Sequence, residues 1–342
     1  MMYAEWAKYR LTFKFEARTS RGSMHAKDTY FVRITDYDAG RCGWGECALF
    51  KGLSHDDHDD YEERLSEACK HIEGRSYLSP YSSIRFGIDT ALATLANNAE
   101  GIVFDNDFGH GRLSIPINGL IWMGDKATMA ERIDEKLSAG FKVLKLKIGG
   151  IDFNEELDLL RLIRSTFPAA TLEIRLDANG SFAPHEAMNK LERLAAFDIH
   201  SIEQPVKPGE RLPGSSPIAI ALDEELIGLH SDEQKHHMLS TLKPDYIILK
   251  PALCGGLNEA SRWADIAEAE GVGWWATSAL ESNIGLNAIA QWVADRGIAR
   301  PQGLGTGQLF TNNIPSPLQL IGDRLSYNPR EQWSFPNLSW HR

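Results

Sequence analysis

A modified (β/α)8 barrel of the TIM type, with an N-terminal α+β capping domain, is the α/β fold that this sequence predicts. Three observations lead there. From about Ser114 onward, short apolar runs alternate with amphipathic helical stretches, the pattern of parallel strands separated by helices. Polar residues at the ends of these runs recur every 20 to 30 residues, close to the roughly 31 residues per unit of an eightfold barrel of about 250 residues. Before about residue 110 the style differs, with alternating strands followed by two helices, as in a small α+β unit. The expected organisation is a cap over residues 1–110, a barrel over 111–309 and a tail over 310–342 that packs back on the cap.

In the cap, "YRLTFKFEA" (Tyr9–Ala17) and "TYFVRITDY" (Thr29–Tyr37) alternate apolar and polar residues, as half-buried antiparallel strands do. "GWGECALF" (Gly43–Phe50) reads as a shorter third strand, and helices are expected near Asp57–Glu73 and Ser82–Asn98. In the second helix, Ile84, Ile88, Ala91 and Leu95 fall at helical spacing. The eight barrel runs are "IPINGLIW", "KVLKLKIG", "LEIRLDAN", "IHSIEQP", "IAIALDEE", "YIILKP", "GWWATS" and "QGLGTG". The fourth connection, about Val206–Pro217, is rich in Pro and Gly and should hold little helix. The tail carries Pro315, Pro317, Pro329 and Pro336, which rule out a long barrel helix there.

Bulk properties narrow the function. A formal net charge of −11 argues against nucleic acid as a partner, yet leaves room for a local cationic site that takes a small anionic carboxylate. Four cysteines without paired spacing suit neither a disulfide framework nor a zinc finger, so the cytoplasm is the expected setting. No run approaches the 18 apolar residues of a membrane span, and no signal-peptide core is visible.

The chemistry is expected at the C-terminal strand ends. Lys145 and Lys147 lie two apart in the second run, so they share a face of the strand; Lys142 reads as an exposed strand start. Asp177, Glu203 and Asp223 end the next three runs. Any one of them could be a helix N-cap, but three converging carboxylates repel unless a cation lies between them. An all-oxygen set suits Mg2+, with Mn2+ as a substitute. Lys250 ends the sixth run on the other side. Burial, a neighbouring ammonium and a divalent cation would each lower a lysine pKa, towards the range of a general base. Such a site suits removal of a proton α to a carboxylate, with the cation stabilising the enediolate. Asn179 and Glu281 are expected to support neighbouring groups rather than bind metal. Glu224 reads as a structural partner, His230, His236 and His237 as solvated surface, and Trp274 and Trp275 as packing residues. "GLGTG", with Gly305, lets backbone approach an anion closely rather than forming a dinucleotide fingerprint.

The motifs "KLKIG", "RLDANGSF", "SIEQP", "ALDEE", "ILKPALCGG" and "TSALESNIG" together resemble the muconate-lactonizing subgroup of the enolase superfamily, across nearly the whole chain. The pairing of a lysine base with Mg2+ in this superfamily is an established pattern. The resemblance implies Mg2+ on Asp177, Glu203 and Asp223. It implies an acid/base role for Lys147, Lys145 as its electrostatic neighbour, and Lys250 on the opposite face. No His–Asp dyad replaces Lys250, which disfavours the mandelate-racemase branch.

"TSALES" (Thr277–Ser282) resembles the o-succinylbenzoate synthases, a dehydrating branch that serves menaquinone synthesis. That likeness implies that Lys147 takes the α-proton and returns it to the departing hydroxyl, that Lys250 stays cationic over the ring, and that Ser278 contacts the succinyl side. Dipeptide epimerases are the main rival. They bind the dipeptide ammonium with an eighth-strand aspartate pair, whereas "GLGTGQLF" (Gly303–Phe310) has no acid. Muconate cycloisomerase, N-acylamino acid racemase and an inactive binding scaffold are the other readings. The expected substrate loops of the cap are "TSRGSM" (Thr19–Met24), with Arg21 as a contact, and "FKGLS" (Phe50–Ser54).

Overall fold

The computed structural model describes residues 2–19, 22–72, 80–297 and 299–342. The cap opens with a three-stranded antiparallel meander, β1 (Met2–Thr19), β2 (Gly22–Asp36) and β3 (Arg41–Cys47). Ala7 pairs with Phe31, and Phe31 with Glu46; a bulge interrupts β1 between Thr12 and Ala17. Two helices follow, α1 (Tyr61–Lys70) and α2 (Ser82–Asn97). α2 lies directly on β3 because glycines face each other there. A methyl group on Gly45 would fall 1.8 Å from the Gly87 carbonyl oxygen, and one on Gly87 would fall 2.4 Å from Cys47 Sγ, so neither position admits a side chain.

The run "IPINGLIW" serves two sheets rather than one. β4 (Ser114–Pro116) joins a small antiparallel sheet, whereas β5 (Gly119–Ile121) begins the barrel. The barrel continues through α3 (Lys126–Ser138), β6 (Val143–Lys147), α4 (Phe153–Thr166), β7 (Glu173–Asp177), α5 (Pro184–Ala195), β8 (Ser201–Glu203) and β9 (Ile220–Leu222). No helix fills the residues between β8 and β9, in keeping with their Pro- and Gly-rich sequence. A short 3-10 turn at Glu224–Leu226 leads to α6 (Asp232–Leu242), β10 (Tyr246–Leu249), α7 (Gly256–Ala269), β11 (Gly273–Ala276) and α8 (Asn283–Arg296). The seven strands β5 to β11 form one parallel sheet in sequence order. The eighth run closes the ring with two residues: Gln302 bridges to Ile117 and Gly303 to Thr277, both in parallel.

The alternation of a strand explains why two lysines sit inside an apolar run. Leu144 and Leu146 are buried toward the helices. Lys145 and Lys147 point inward, and Lys142 is exposed. Arg175, which pairs with Lys145, is also buried within the barrel, with its guanidinium 4.3 Å from the Trp275 ring.

The tail forms the hairpin β12 (Leu318–Ile321) and β13 (Arg324–Tyr327), which pairs with β4. It then returns to the cap. Phe335 stacks on Trp44 at 3.8 Å, the Arg33 guanidinium lies 4.2 Å from the Trp340 ring, and Trp6 bridges to His341.

Candidate active site

Strand register places Lys147, Asp177 and Glu203 on one level. Lys147 pairs with Asp177, and Asp177 with Glu203. Asp223 follows β9 and Lys250 follows β10. Three of the connecting residues are held at positive φ: Asn179 at 44°, Gln204 at 40° and Leu280 at 63°. Non-glycine residues pay for such conformations with strain, which collects where a loop must aim a side chain. Gln204 uses its position to accept a hydrogen bond from the Asp223 backbone N–H at 3.2 Å. Behind β6, the buried Glu156 accepts the Gly149 N–H at 2.6 Å and pins the loop after Lys147.

Asp177, Glu203 and Asp223 are 1%, 2% and 3% exposed, so they belong to the barrel interior rather than to helix caps in water. Each turns to an ammonium group. Asp177 Oδ2 accepts from Lys145 Nζ at 2.9 Å and Lys147 Nζ at 3.0 Å. Glu203 Oε2 accepts from Lys145 at 2.5 Å, and Asp223 accepts from Lys250. Asn179 supports this set, accepting from Lys147 Nζ at 2.8 Å and donating to Glu224 at 3.2 Å. Among the described residues, no three acids, histidines or cysteines are drawn together around one point as they stand; the carboxylates are spread over the three lysines. Glu203 Oε1 is nevertheless buried without a hydrogen-bond partner among the described residues.

The protein's own charges act on two of these lysines in the opposite sense to burial. Burial lowers the Lys145 pKa, but Asp177, Glu203 and Asp223 raise it more, so the balance lies above the ordinary lysine range. Lys250 is likewise raised, by Asp223, Glu203 and Glu224, against its burial. Desolvation, like charge and a divalent cation all lower a lysine, and the carboxylate contacts act against them. The acids diverge in turn. Burial would raise Asp177, yet Lys145, Lys147 and Lys250 hold it well below the usual carboxylate range. Burial and the neighbouring Asp177 push Glu203 well above it.

The lysines and Asp177 open into a cavity of about 660 Å³, counted to its open mouth; Glu203 and Asp223 lie behind its lining. Lys145, Lys147, Asp177, Asn179, Lys250, Ser278 and Gly305 all line it. The Ser278 hydroxyl is already engaged, donating to Glu281 and accepting from the Leu280 and Glu281 N–H groups at 2.8 and 3.2 Å. Phe50 and Leu53 bring the "FKGLS" loop of the cap to the wall. Arg21 lies outside the described residues. In its loop, Ala17, Arg18 and Thr19 pair with Met24, Ser23 and Gly22, so much of that segment is hairpin strand. Glu224 is buried beside Asn179. His230 is half-buried against His55 at 5.2 Å rather than solvated, whereas His236 and His237 are exposed.

Some lining residues were not anticipated. Asn118, Leu120 and Trp122 come from the first barrel strand, and the Trp122 ring lies 5.5 Å from Lys147 Nζ. An Asn inside the apolar run "IPINGLIW" was the available signal. The cap reaches the site from behind as well. Glu46 of β3 accepts from Ser282 Oγ at 2.6 Å and from the Ser282 and Gly285 N–H groups at 2.9 and 3.0 Å. It thereby caps the N-terminus of α8, where a negative charge is favoured.

Residues 128–305 match the model of the family described as enolase C-terminal domain-like. The chain is 43% identical to the o-succinylbenzoate synthase of Desulfotalea psychrophila, over 95% of this chain and 98% of that one. It superposes on the solved structure of MenC from the same organism with a TM-score of 0.81 at 40% identity, covering 95% and 99% of the two chains. It shares 25% identity with the L-Ala-D/L-Glu epimerase of Bacillus subtilis, over 82% and 81% of the chains. The inward lysines, the buried carboxylates at successive strand ends and these matches agree: the chain belongs to the enolase superfamily, in its muconate-lactonizing subgroup.

Proposed function

We propose that the chain is an o-succinylbenzoate synthase, a hydro-lyase that converts 2-succinyl-6-hydroxy-2,4-cyclohexadiene-1-carboxylate to 2-succinylbenzoate for menaquinone synthesis. The observation that carries this reading is the 43% identity to such an enzyme over nearly the full length of both chains. The cavity supports it: among the described lining residues Asp177 is the only acid, so a dipeptide ammonium would find no free countercharge, a costly arrangement.

Asp177, Glu203 and Asp223 are the residues that would hold Mg2+, or Mn2+ in its place. The unpartnered Glu203 Oε1, and a buried acid set with hard oxygen donors, fit such an ion. When bound, it supplies positive charge against the charge developing on the substrate carboxylate. The protein groups do the rest. Lys147 takes the proton from C1 and delivers it to the hydroxyl leaving C6 on the same face. One C–H and one C–O bond break, the ring becomes aromatic, and water departs. Lys250 remains an ammonium over the ring and offsets its negative charge. Lys145 stays charged between Asp177 and Glu203 and orients the carboxylate end. Asn179 holds Lys147 in position. A base within hydrogen-bond reach of its proton contributes about 10²–10⁴-fold.

The substrate is thus a small anionic carboxylate. The cytoplasm is the proposed setting, since all four cysteines are free thiols and no described helix is long and apolar enough to cross a membrane. The test offers the purified chain, with Mg2+, both the hydroxycyclohexadiene substrate and a panel of dipeptides. Appearance of the aromatic product is expected; epimerised dipeptides without dehydration would replace this reading.

A further inference from the structure

Strand β2 of the cap carries a lysine that the reaction described above does not use. Lys27, Thr29 and Phe31 alternate onto one face of that strand, and this face lies along the loop that leads into α8. Thr29 Oγ1 donates to Glu46 at 2.8 Å, Glu46 accepts the Ser282 N–H, and Phe31 packs in one cluster with Ile284. Lys27 is 7% exposed, and its Nζ has no hydrogen-bond partner among the described residues. Buried lysines are normally paired. The opposite charges that act on Lys27 are those of Glu46 and Glu281.

Across the seam, Glu281 is 0% exposed, and its Oε1 also lacks a hydrogen-bond partner among the described residues. Its other oxygen accepts from the Ser278 hydroxyl. Burial raises the Glu281 carboxyl, Lys27 acts to lower it, and the like charge of Glu46 adds to burial. Glu46 is already held by Thr29, Ser282 and Gly285, so it leaves the Lys27 ammonium to Glu281. The ionised acid matters to the cavity wall. It receives the Ser278 proton, while Ser278 Oγ accepts the Leu280 and Glu281 N–H groups at 2.8 and 3.2 Å. These bonds hold Leu280 at a φ of 63°, a conformation that a non-glycine residue keeps only where its surroundings enforce it. Ser278, Ala279 and Leu280 all line the cavity.

We propose that Lys27 is a positioning residue of this site: it reaches from the cap as the countercharge of Glu281, and so fixes the Ser278–Leu280 wall against which the succinyl arm of the substrate lies. The choice of substrate rests on the dehydration reading; the charge pair does not. Lys27 touches neither substrate nor metal in this arrangement. It acts through Glu281 on the shape of the wall, so its loss should weaken binding more than it slows the proton transfer at Lys147.

The test compares Lys27→Met with the unaltered chain, each with Mg2+ and the hydroxycyclohexadiene substrate, from about pH 6 to about pH 9. Met fills similar space and removes a buried charge that lacks a hydrogen bond, so the variant should fold. Near pH 7 its KM should be about ten-fold higher, with kcat within about two-fold. Without the cation, Glu281 ionises only at higher pH, so the ratio of the two KM values should fall to about one at the alkaline end. Titration of Lys147 is common to both chains and cancels in that ratio. In a Glu281→Gln background, Lys27→Met should raise KM no further. A ratio near one at neutral pH, a ratio independent of pH, or an equal rise in the Glu281→Gln background overturns the assignment. Denaturant titration gives a readout that needs no substrate. An acid whose pKa is higher folded than unfolded loses stability as pH rises through that interval. Lys27→Met widens the interval at Glu281, so its stability should fall more steeply between about pH 5 and about pH 7. No turnover by the unaltered chain overturns the dehydration reading; equal slopes in the two titrations overturn the charge pair, whichever reaction the chain performs.

Discussion

Glu46 and Glu203 are both wholly buried carboxylates, 0% and 2% exposed, yet they sit in opposite chemical circumstances. Glu46, at the seam between cap and barrel, accepts from Thr29 Oγ1 at 2.8 Å as well as from Ser282 and Gly285. Its charge is satisfied by the protein. Glu203, in the barrel mouth, has one ammonium partner and one oxygen without any among the described residues. The difference separates an acid that holds two domains together from an acid kept ready for something the chain does not supply. Burial alone does not distinguish the two; the count of donors does.

The sharpest way to break that contrast is to remove the proposed proton carrier. Lys147→Ala should lower kcat by about 10³-fold or more, while Mg2+ binding followed by calorimetry persists. Near-normal turnover would end the assignment of Lys147. Next, Glu203→Gln should weaken Mg2+ binding by about 100-fold, yet leave the stability of the metal-free protein little changed, because burial already disfavours the Glu203 charge and the amide oxygen can still accept from Lys145. Undiminished metal affinity in Asp177→Ala, Glu203→Gln and Asp223→Ala alike would dissolve the proposed ligand set.

Glu46→Gln should behave in the opposite way. Its amide turns a donor toward backbone N–H groups, so denaturant titration should show a loss of about 2 kcal/mol, with turnover per folded molecule largely kept. A variant as stable as the parent would deny Glu46 its structural part. The smallest effect is expected at Asn179, which orients Lys147. Asn179→Ala should reduce kcat about ten-fold with little change in KM. A change confined to KM would instead place Asn179 among the groups that bind substrate in the ground state.

Much of the architecture was legible because periodicity is local. The switch from alternating strands to βα units near Ser114, the helix-poor stretch after Glu203 and the proline-rich tail each follow from residues close together in sequence. The strand-end acids and the KxK pair were legible for the same reason, since a barrel repeats its geometry once per unit. The splitting of "IPINGLIW" between two sheets was not, because it depends on β13, about 200 residues away. Nor were the cap residues that reach the barrel, such as Glu46.

By itself, then, the sequence determined the barrel, its cap and the three carboxylates and three lysines that face its mouth. Only the tertiary structure decided how those charges settle. Among the protein's own groups, carboxylates from neighbouring strands outweigh burial at Lys145 and Lys250 and raise both. Ser278 directs its hydroxyl to Glu281, and Asn118 and Thr306 both line the cavity with a polar atom unpaired among the described residues. The physical reason is common to all of these. Periodicity tells which way a side chain points, whereas its charge state and hydrogen bonds depend on partners that only folding brings within a few ångströms.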